Sequence, residues 1–181
     1  VDGIVGVKTW SSMGLIYRTK KDIDAGVEIV TIGLKQYFDV TKPVNAALKL
    51  AAKEANNHQL DMDWFVSKVD NKMEWDIKVK NSWTTTIKTT YPGNYNSLVY
   101  YYKMATTLEG LGNMMYGYTG AAAGFPDIML YGAGGMVQQG GKDFKSFLKA
   151  FKNGPPYWGD APEDHTMVKL GIFLYRGVIS D

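Results

Sequence analysis

The chain has 181 residues, with 20 Lys and Arg against 18 Asp and Glu, and no cysteine. That length suits one medium-sized domain, or one domain plus a fragment, and a net charge of +2 gives no bulk attraction towards nucleic acid or anionic wall polymers. The absent cysteine excludes disulfides and thiolate catalysis, and no apolar run is long enough to span a bilayer.

The opening VDGIVGVKTW is turn-rich. Asp2-Gly3 is a turn dipeptide, Gly6 marks a second bend, and Thr9 can cap a short helix from Trp10. Residues 1–18 therefore read as a fragment of one module, and 19–181 as a single catalytic domain. Residues 19–42 are mixed and charged, and the apolar run GVEIVTIGL within them has no decisive period. TKPVNAALKLAAKEANNH predicts a helix capped by Thr41, with Pro43 in its first turn. Val44, Ala47, Leu48 and Ala51 recur there at helical spacing, and the helix should fade near Asn56-Asn57. LDMDWFVSKV reads as a second, short helix.

The segment from Met73 to Met104 changes character. β-branched and aromatic residues alternate, YPGN is a turn, and one or two short strands are expected. Helical patterns return in TTLEGLGNMMYGYTGAAAG, FPDIMLYGAGGMVQQ and KDFKSFLKAFKNG. PPYW is a turn, and a last helix follows in GDAPEDHTMVKLGIFLYRG. Asp160 can cap it, Pro162 suits its first turn, and Glu163 and Asp164 favour its N-terminal dipole. The fold class expected is α+β, predominantly helical, with a small hairpin or sheet between helices.

The inventory for chemistry is narrow. The only histidines are His58 and His165, and no HExxH, CxxC or P-loop pattern exists, so no metal and no cofactor is expected. The glycine-rich YGYTGAAAG and YGAGG lack the strand–turn–helix setting of a phosphate cradle and read as close helix packing. Carboxylates remain. Glu54 lies on an Ala-rich helix, where burial would raise its pKa as a general acid requires; the plainer reading is a solvated face beside Lys53. Asp76 sits between Trp75 and Ile77 on the expected strand, pairing with Lys78 or facing a cleft. Asp160, Glu163 and Asp164 crowd one helix start beside His165, and capping accounts for Asp160 only. Asn113 and Tyr116 share a helix face, with Tyr118 nearby; they orient a substrate or tie the helix to its neighbours.

Two resemblances follow. Val1-Asp2-Gly3, Gly6 and Thr9-Trp10 resemble the C-terminal half of a peptidoglycan-binding repeat of the small three-helix type, over roughly the first sixteen residues. About residues 40–178 resemble the bacterial polymorphic toxin family called type 44. The carriers are Trp75-Asp76-Ile77-Lys78, then Gly112-Asn113 with Tyr116-Gly117, then Gly159 to Asp164. The chain departs at Met73-Glu74, where many members have a Gly-Gly or Gly-Pro pair, and at His165, where the family has no fixed histidine. The resemblance implies an antibacterial toxin; such domains have been proposed as ribonucleases.

Three functions are weighed. The favoured one is a secreted hydrolase acting on peptidoglycan glycan strands, most simply a muramidase. Its acid would be Glu54, with Asp76 as partner and Asp160 in reserve; Trp75, Lys78, Asn113, Tyr116, Tyr118, Asp164 and His165 would bind substrate. Twelve tyrosines and five tryptophans suit a saccharide groove. The alternative is a metal-independent ribonuclease toxin using His165, Asp76 and Lys78, the one reading with nucleic acid as partner. The third is a non-catalytic wall-binding domain. A monomer held at the cell wall is expected, with its leader removed or upstream, an immunity protein as partner and no membrane association.

Overall fold

The computed structural model describes residues 16, 18–80, 97–138 and 144–177. Apart from Ile16, the stretch that resembles a peptidoglycan-binding repeat lies outside the described residues, as does NSWTTTIKTTYPGN. The expected helix-dominated α+β class holds: eight helices and one four-stranded sheet are described. They divide into two compact units, one of residues up to 47 with 97–109, the other of 48–80 with 110–177.

In the first unit, Thr19 and Asp22 form a capping box that starts helix α1 (Lys20–Ala25), and Gly26 at φ 82° ends it. The run without a decisive period is strand. Ile29, Val30, Thr31 and Ile32 are β-branched and form most of β1 (Glu28–Ile32). A two-residue turn with Gly33 at φ 61° leads to β2 (Lys35–Asp39). Strands β3 (Leu98–Tyr101) and β4 (Met104–Thr107) make a second hairpin, and the sheet order is β1-β2-β3-β4. Both hairpins are antiparallel; β2 and β3 run parallel, with Asp39 opposite Tyr100. The second turn places Tyr102 and Lys103 at φ 47° and 62° without a glycine. The strain is offset locally, since the Tyr102 N–H donates to Thr41 Oγ1 at 2.8 Å and the Asn45 amide donates to the Tyr102 phenol.

Helix α2 (Thr41–Ala55) begins one residue earlier than a Thr41 cap allows. Asp39 Oδ1 accepts the Thr41 N–H at 2.9 Å, so the capping oxygen comes from the end of β2. Val27, Phe38, Val40, Val44, Val99 and Tyr101 are the buried apolar core of this unit.

The second unit takes α2 from Leu48 and contains α3 (Met62–Val69), α4 (Ile77–Lys80), α5 (Leu108–Ala122) from Gly110 on, α6 (Asp127–Gln138), α7 (Phe144–Asn153) and α8 (Pro162–Tyr175). Leu111, Met114, Met115, Val168 and Ile172 are buried on α5 and α8. Phe65 packs between Phe125 and Tyr116, at ring distances of 5.1 and 5.7 Å. The strand expected around Asp76 is instead a turn followed by α4. Asp76 Oδ2 accepts the Lys72 N–H at 2.8 Å, and such a side-chain-to-backbone bond competes with an extended ladder.

Helices α5 and α8 approach one another closely. A Cβ on Gly171 would lie 2.1 Å from the Met114 carbonyl oxygen, and one on Gly117 2.1 Å from that of Val168. The glycines of YGYTGAAAG thus serve packing. Gly171→Ala should destabilise the protein by about 2–4 kcal/mol in urea unfolding, because backbone rather than a side chain must yield. Gly112→Ala, whose Cβ meets no described atom within 4 Å, should instead gain about 0.5–1 kcal/mol of helix propensity. Equal effects of the two changes would show that the close approach limits nothing.

Candidate active site

Helix α6 supplies the floor. Its Gly135 lies against the Trp158 carbonyl, where a Cβ would stand 2.1 Å away, and its Gly134 lies against Asp160 Oδ2. No larger residue would let the 155–160 segment come so close. Trp158 at φ 55° and Gly159 at φ 84° turn the chain there, and the Trp158 N–H is held by the Gly154 carbonyl at 2.9 Å. The Trp158 ring rests on Phe151 at 4.9 Å. This left-handed pair delivers Asp160 onto α6.

Asp160 does not cap α8. Ala161 takes the N-cap position without a side-chain bond, and Pro162 at the first turn removes one N–H that would need a cap. Asp160 Oδ1 accepts the Ala161 N–H at 2.9 Å, and its other oxygen faces Gly134. Asp164, one turn into the helix, accepts a 2.6 Å hydrogen bond from Asn113 Nδ2 on α5. Tyr116, on the same face of α5 as Asn113, donates to the Leu130 carbonyl of α6 at 2.9 Å.

His165 is only 8% exposed, and its Nδ1 has no hydrogen-bond partner among the described residues. The ring sits by Tyr131 at 4.6 Å and by Tyr157 at 5.7 Å, edge-on; Tyr157 itself is 41% exposed. An aromatic wall, a buried imidazole, two aspartates and an asparagine thus meet where α5, α6 and α8 converge.

The electrostatics follow from burial. Desolvation pushes the Asp160 carboxyl up to about 6, against its bond from Ala161, and the Asp164 charge adds to the rise. Burial, then the Asp160 charge, holds the Tyr116 phenol far above its ordinary value, so it is a wall rather than an acid. Burial, with the Lys169 charge second, lowers His165, which is neutral near pH 7. Among the described residues no group of three His, Asp or Glu side chains is arranged to hold a metal.

The other expected site residues are placed elsewhere. Glu54 belongs to a second cluster: Lys68 Nζ is 2.6 Å from Glu54 and 2.7 Å from Glu74, and lies over the rings of Trp64 and Trp75. Trp75 is buried with its neighbour edge-on at 5.3 Å. Glu54 is therefore an ion-pair partner rather than a carboxyl alone on an apolar helix face. Asp76 is buried and ties down its own loop, and Lys78 stands half-buried on α4. No described contact brings any of these three to Asp160. Tyr118 points away from Tyr116 and stacks edge-on with Tyr175 at 5.4 Å. Of the expected residues, Asp160, Asp164, His165, Asn113 and Tyr116 come together. Sequence reading missed Tyr131, Tyr157 and the floor glycines; the unexplained crowd of acids and histidine after PPYW was the signal that pointed to them.

Fold and cluster together define a small, mostly helical α+β domain with the makings of an acid–base site. Residues 64–177 match the family model for bacterial toxin 44, and the chain belongs to that family. The match covers every residue of the cluster and leaves Glu54 outside. No curated protein and no solved structure matches the chain.

Asp160→Asn tests the buried carboxyl. A folded value raised above the ordinary 3.8 means that Asp160 supports the fold fully below pH 4 and that this support is lost as pH rises through about 6. The variant should therefore be more stable than the wild type by about 1–2 kcal/mol at pH 7.5, allowing for partial solvent access, and the gap should close towards pH 4. Thermal melts across that range measure it; a pH-independent gap would place the carboxyl in solvent.

Proposed function

We propose that this toxin domain is an antibacterial hydrolase of the cell wall, most simply a muramidase, working through Asp160 and Asp164. In this reading Asp160 arrives protonated and gives its proton to the glycosidic oxygen. Asp164, oriented by Asn113, acts on the anomeric carbon, either directly or through a water molecule, according to the separation of the two carboxyls across the bound sugar. Tyr157 and Tyr131 offer ring faces to a saccharide. The observation that carries the reading is the desolvated Asp160 carboxyl beside an Asp164 fixed by a 2.6 Å bond from Asn113. The two carboxyls have different surroundings, which is what two different roles demand.

A ribonuclease fits the same cluster less well. A phosphodiester carries its charge at the bond being cut, where Asp164, and Asp160 as well once pH exceeds about 6, would repel it, whereas a glycosidic bond is neutral. The N-terminal resemblance to a wall-binding repeat favours action outside the cytoplasm, at the wall. A producing cell would need an immunity protein that covers the cluster.

Incubation with purified peptidoglycan and, separately, with total RNA, with products read by mass spectrometry, tests the reading. Wall lysis should fall by about 100- to 10,000-fold in Asp160→Asn and in Asp164→Asn, each still folded. Wild-type lysis should decline as pH rises through about 6, as Asp160 loses its proton. Cleaved RNA with intact peptidoglycan would replace the muramidase by a ribonuclease, and no product from either would leave a binding domain. Glu54→Gln should lyse walls normally under this assignment; its inactivity would restore Glu54 as the acid.

A further inference from the structure

We propose that the outer face of α7 is a docking strip for the anionic carboxylates of the cell-wall polymer. This deepens the reading above and rests on it for the identity of the polymer. Lys145, Lys149 and Lys152 stand at i, i+4 and i+7, so they share one face over about 10 Å of helix. All three are exposed, and none makes an ion pair with a described residue. Leu148, beside them, is 45% exposed. The opposite face is committed to the fold: Phe147 and Phe151 lie against Gly132 of α6, and Phe151 against Trp158.

A solvated lysine face is the ordinary outcome for a surface helix. Exposed lysines elsewhere include paired ones, Lys20 with Asp24 and Lys42 with Glu28, and ones such as Lys35 and Lys103 with no ion pair to a described residue, so it is the grouping of three on one face, not the lack of a partner, that sets this helix apart. Helix α7 has no Asp or Glu within Phe144–Asn153, so no residue of the helix itself offsets the strip. Its place also matters. The helix packs on the segment that carries Asp160, two residues beyond Trp158, and on the same glycine-rich stretch of α6 that faces Asp160.

The charge layout selects the occupant. The catalytic cluster is acidic and repels anions, so an anionic strand is held only if positive charge lies outside the cluster. Peptidoglycan has that complementary layout: its glycan is neutral at the bond to be cut, and its free carboxylates are displaced onto the peptide stems. A polymer charged at every scissile linkage lacks it.

The test uses the full chain carrying Asp160→Asn, which binds without cutting, with and without Lys145→Gln, Lys149→Gln and Lys152→Gln. Binding to purified peptidoglycan sacculi is measured by co-sedimentation from about 50 to about 300 mM NaCl, a range over which surface charge is progressively screened. The triple-lysine variant should bind about ten-fold more weakly at the low end and show a flatter salt dependence, with an unchanged thermal melt. Equal binding with an equal salt dependence overturns the strip, as does lysine-dependent binding to anionic phospholipid vesicles or to an acidic protein without any to sacculi. Lysis by the protein with native Asp160 is scored in parallel. Lysis with lysine-indifferent binding sinks the strip alone; lysine-dependent binding without lysis sinks the muramidase reading alone.

Discussion

The backbone-to-backbone contact of α5 and α8 is the constraint on which the rest of the second unit depends. Gly117 sits on the Val168 carbonyl and Gly171 on that of Met114, with no room for a methyl group at either point. Two helices that touch in this way hold side chains one turn away within bonding reach. Asn113 is one turn before Gly117 and Asp164 one turn before Val168, and these two are joined at 2.6 Å. The geometry of a polar pair is thus set by residues without side chains. The same device recurs on α6, where Gly134 and Gly135 admit the chain around Trp158 and so fix the place of Asp160. Small residues bring backbone close, close backbone excludes water, and exclusion of water is what lifts the Asp160 carboxyl.

Two charge clusters in this unit have opposite characters. Around Lys68, opposite charges and two indoles neutralise one another: two glutamates hold the ammonium, raising its pKa, and the tryptophan rings lie beneath it. That arrangement ties α2, α3 and the Glu74-Trp75 turn together and leaves little charge to act on a substrate. Around Asp160 a desolvated carboxyl lies near a second aspartate, and a buried histidine nitrogen has no hydrogen-bond partner among the described residues. A buried polar atom left unsatisfied weakens a fold, so its place is a candidate for function. The contrast, more than any single residue, is what supports placing the proposed chemistry at Asp160 rather than at Lys68.

Much of this was legible in the sequence, for identifiable reasons. Long segments with helical period, such as Thr41–Ala55 and Leu108–Ala122, declared themselves, because a buried stripe must repeat at the helical turn. Asn113 and Tyr116 were grouped by spacing alone, since three residues on a helix is a local fact. The first hairpin stayed hidden because EIVTI is apolar without alternation, its side chains being only partly buried on both faces. Asp76 was misplaced onto a strand because Trp and Ile flank it, while the deciding bond to the Lys72 amide cannot be read from flanking residues. Glu54 looked isolated because its partner Lys68 is fourteen residues away on another helix. Tyr131 and Tyr157 met His165 only through the packing of α6 and the 155–160 segment on α8. Local pattern reveals what each element offers; tertiary packing decides which offers are taken up.

The two shifted groups at the cluster give its stability two opposed dependences on pH. Asp160 has a raised value, so its contribution to stability is greatest in acid and fades as pH rises through about 6. His165 has a lowered value, so its contribution is present above its ordinary 6.5 and is lost as pH falls through the depressed value, when the buried ring must accept a charge. The two dependences oppose each other. A proton on Asp160 requires pH below about 6, whereas a neutral His165, packed against Tyr131 and Tyr157, requires pH above its own lowered value. Between those limits the acid is charged with its proton and the aromatic wall is intact. Under the proposed function, mildly acidic surroundings are where Asp160 holds its proton while His165 stays neutral, and burial sets both edges of that range.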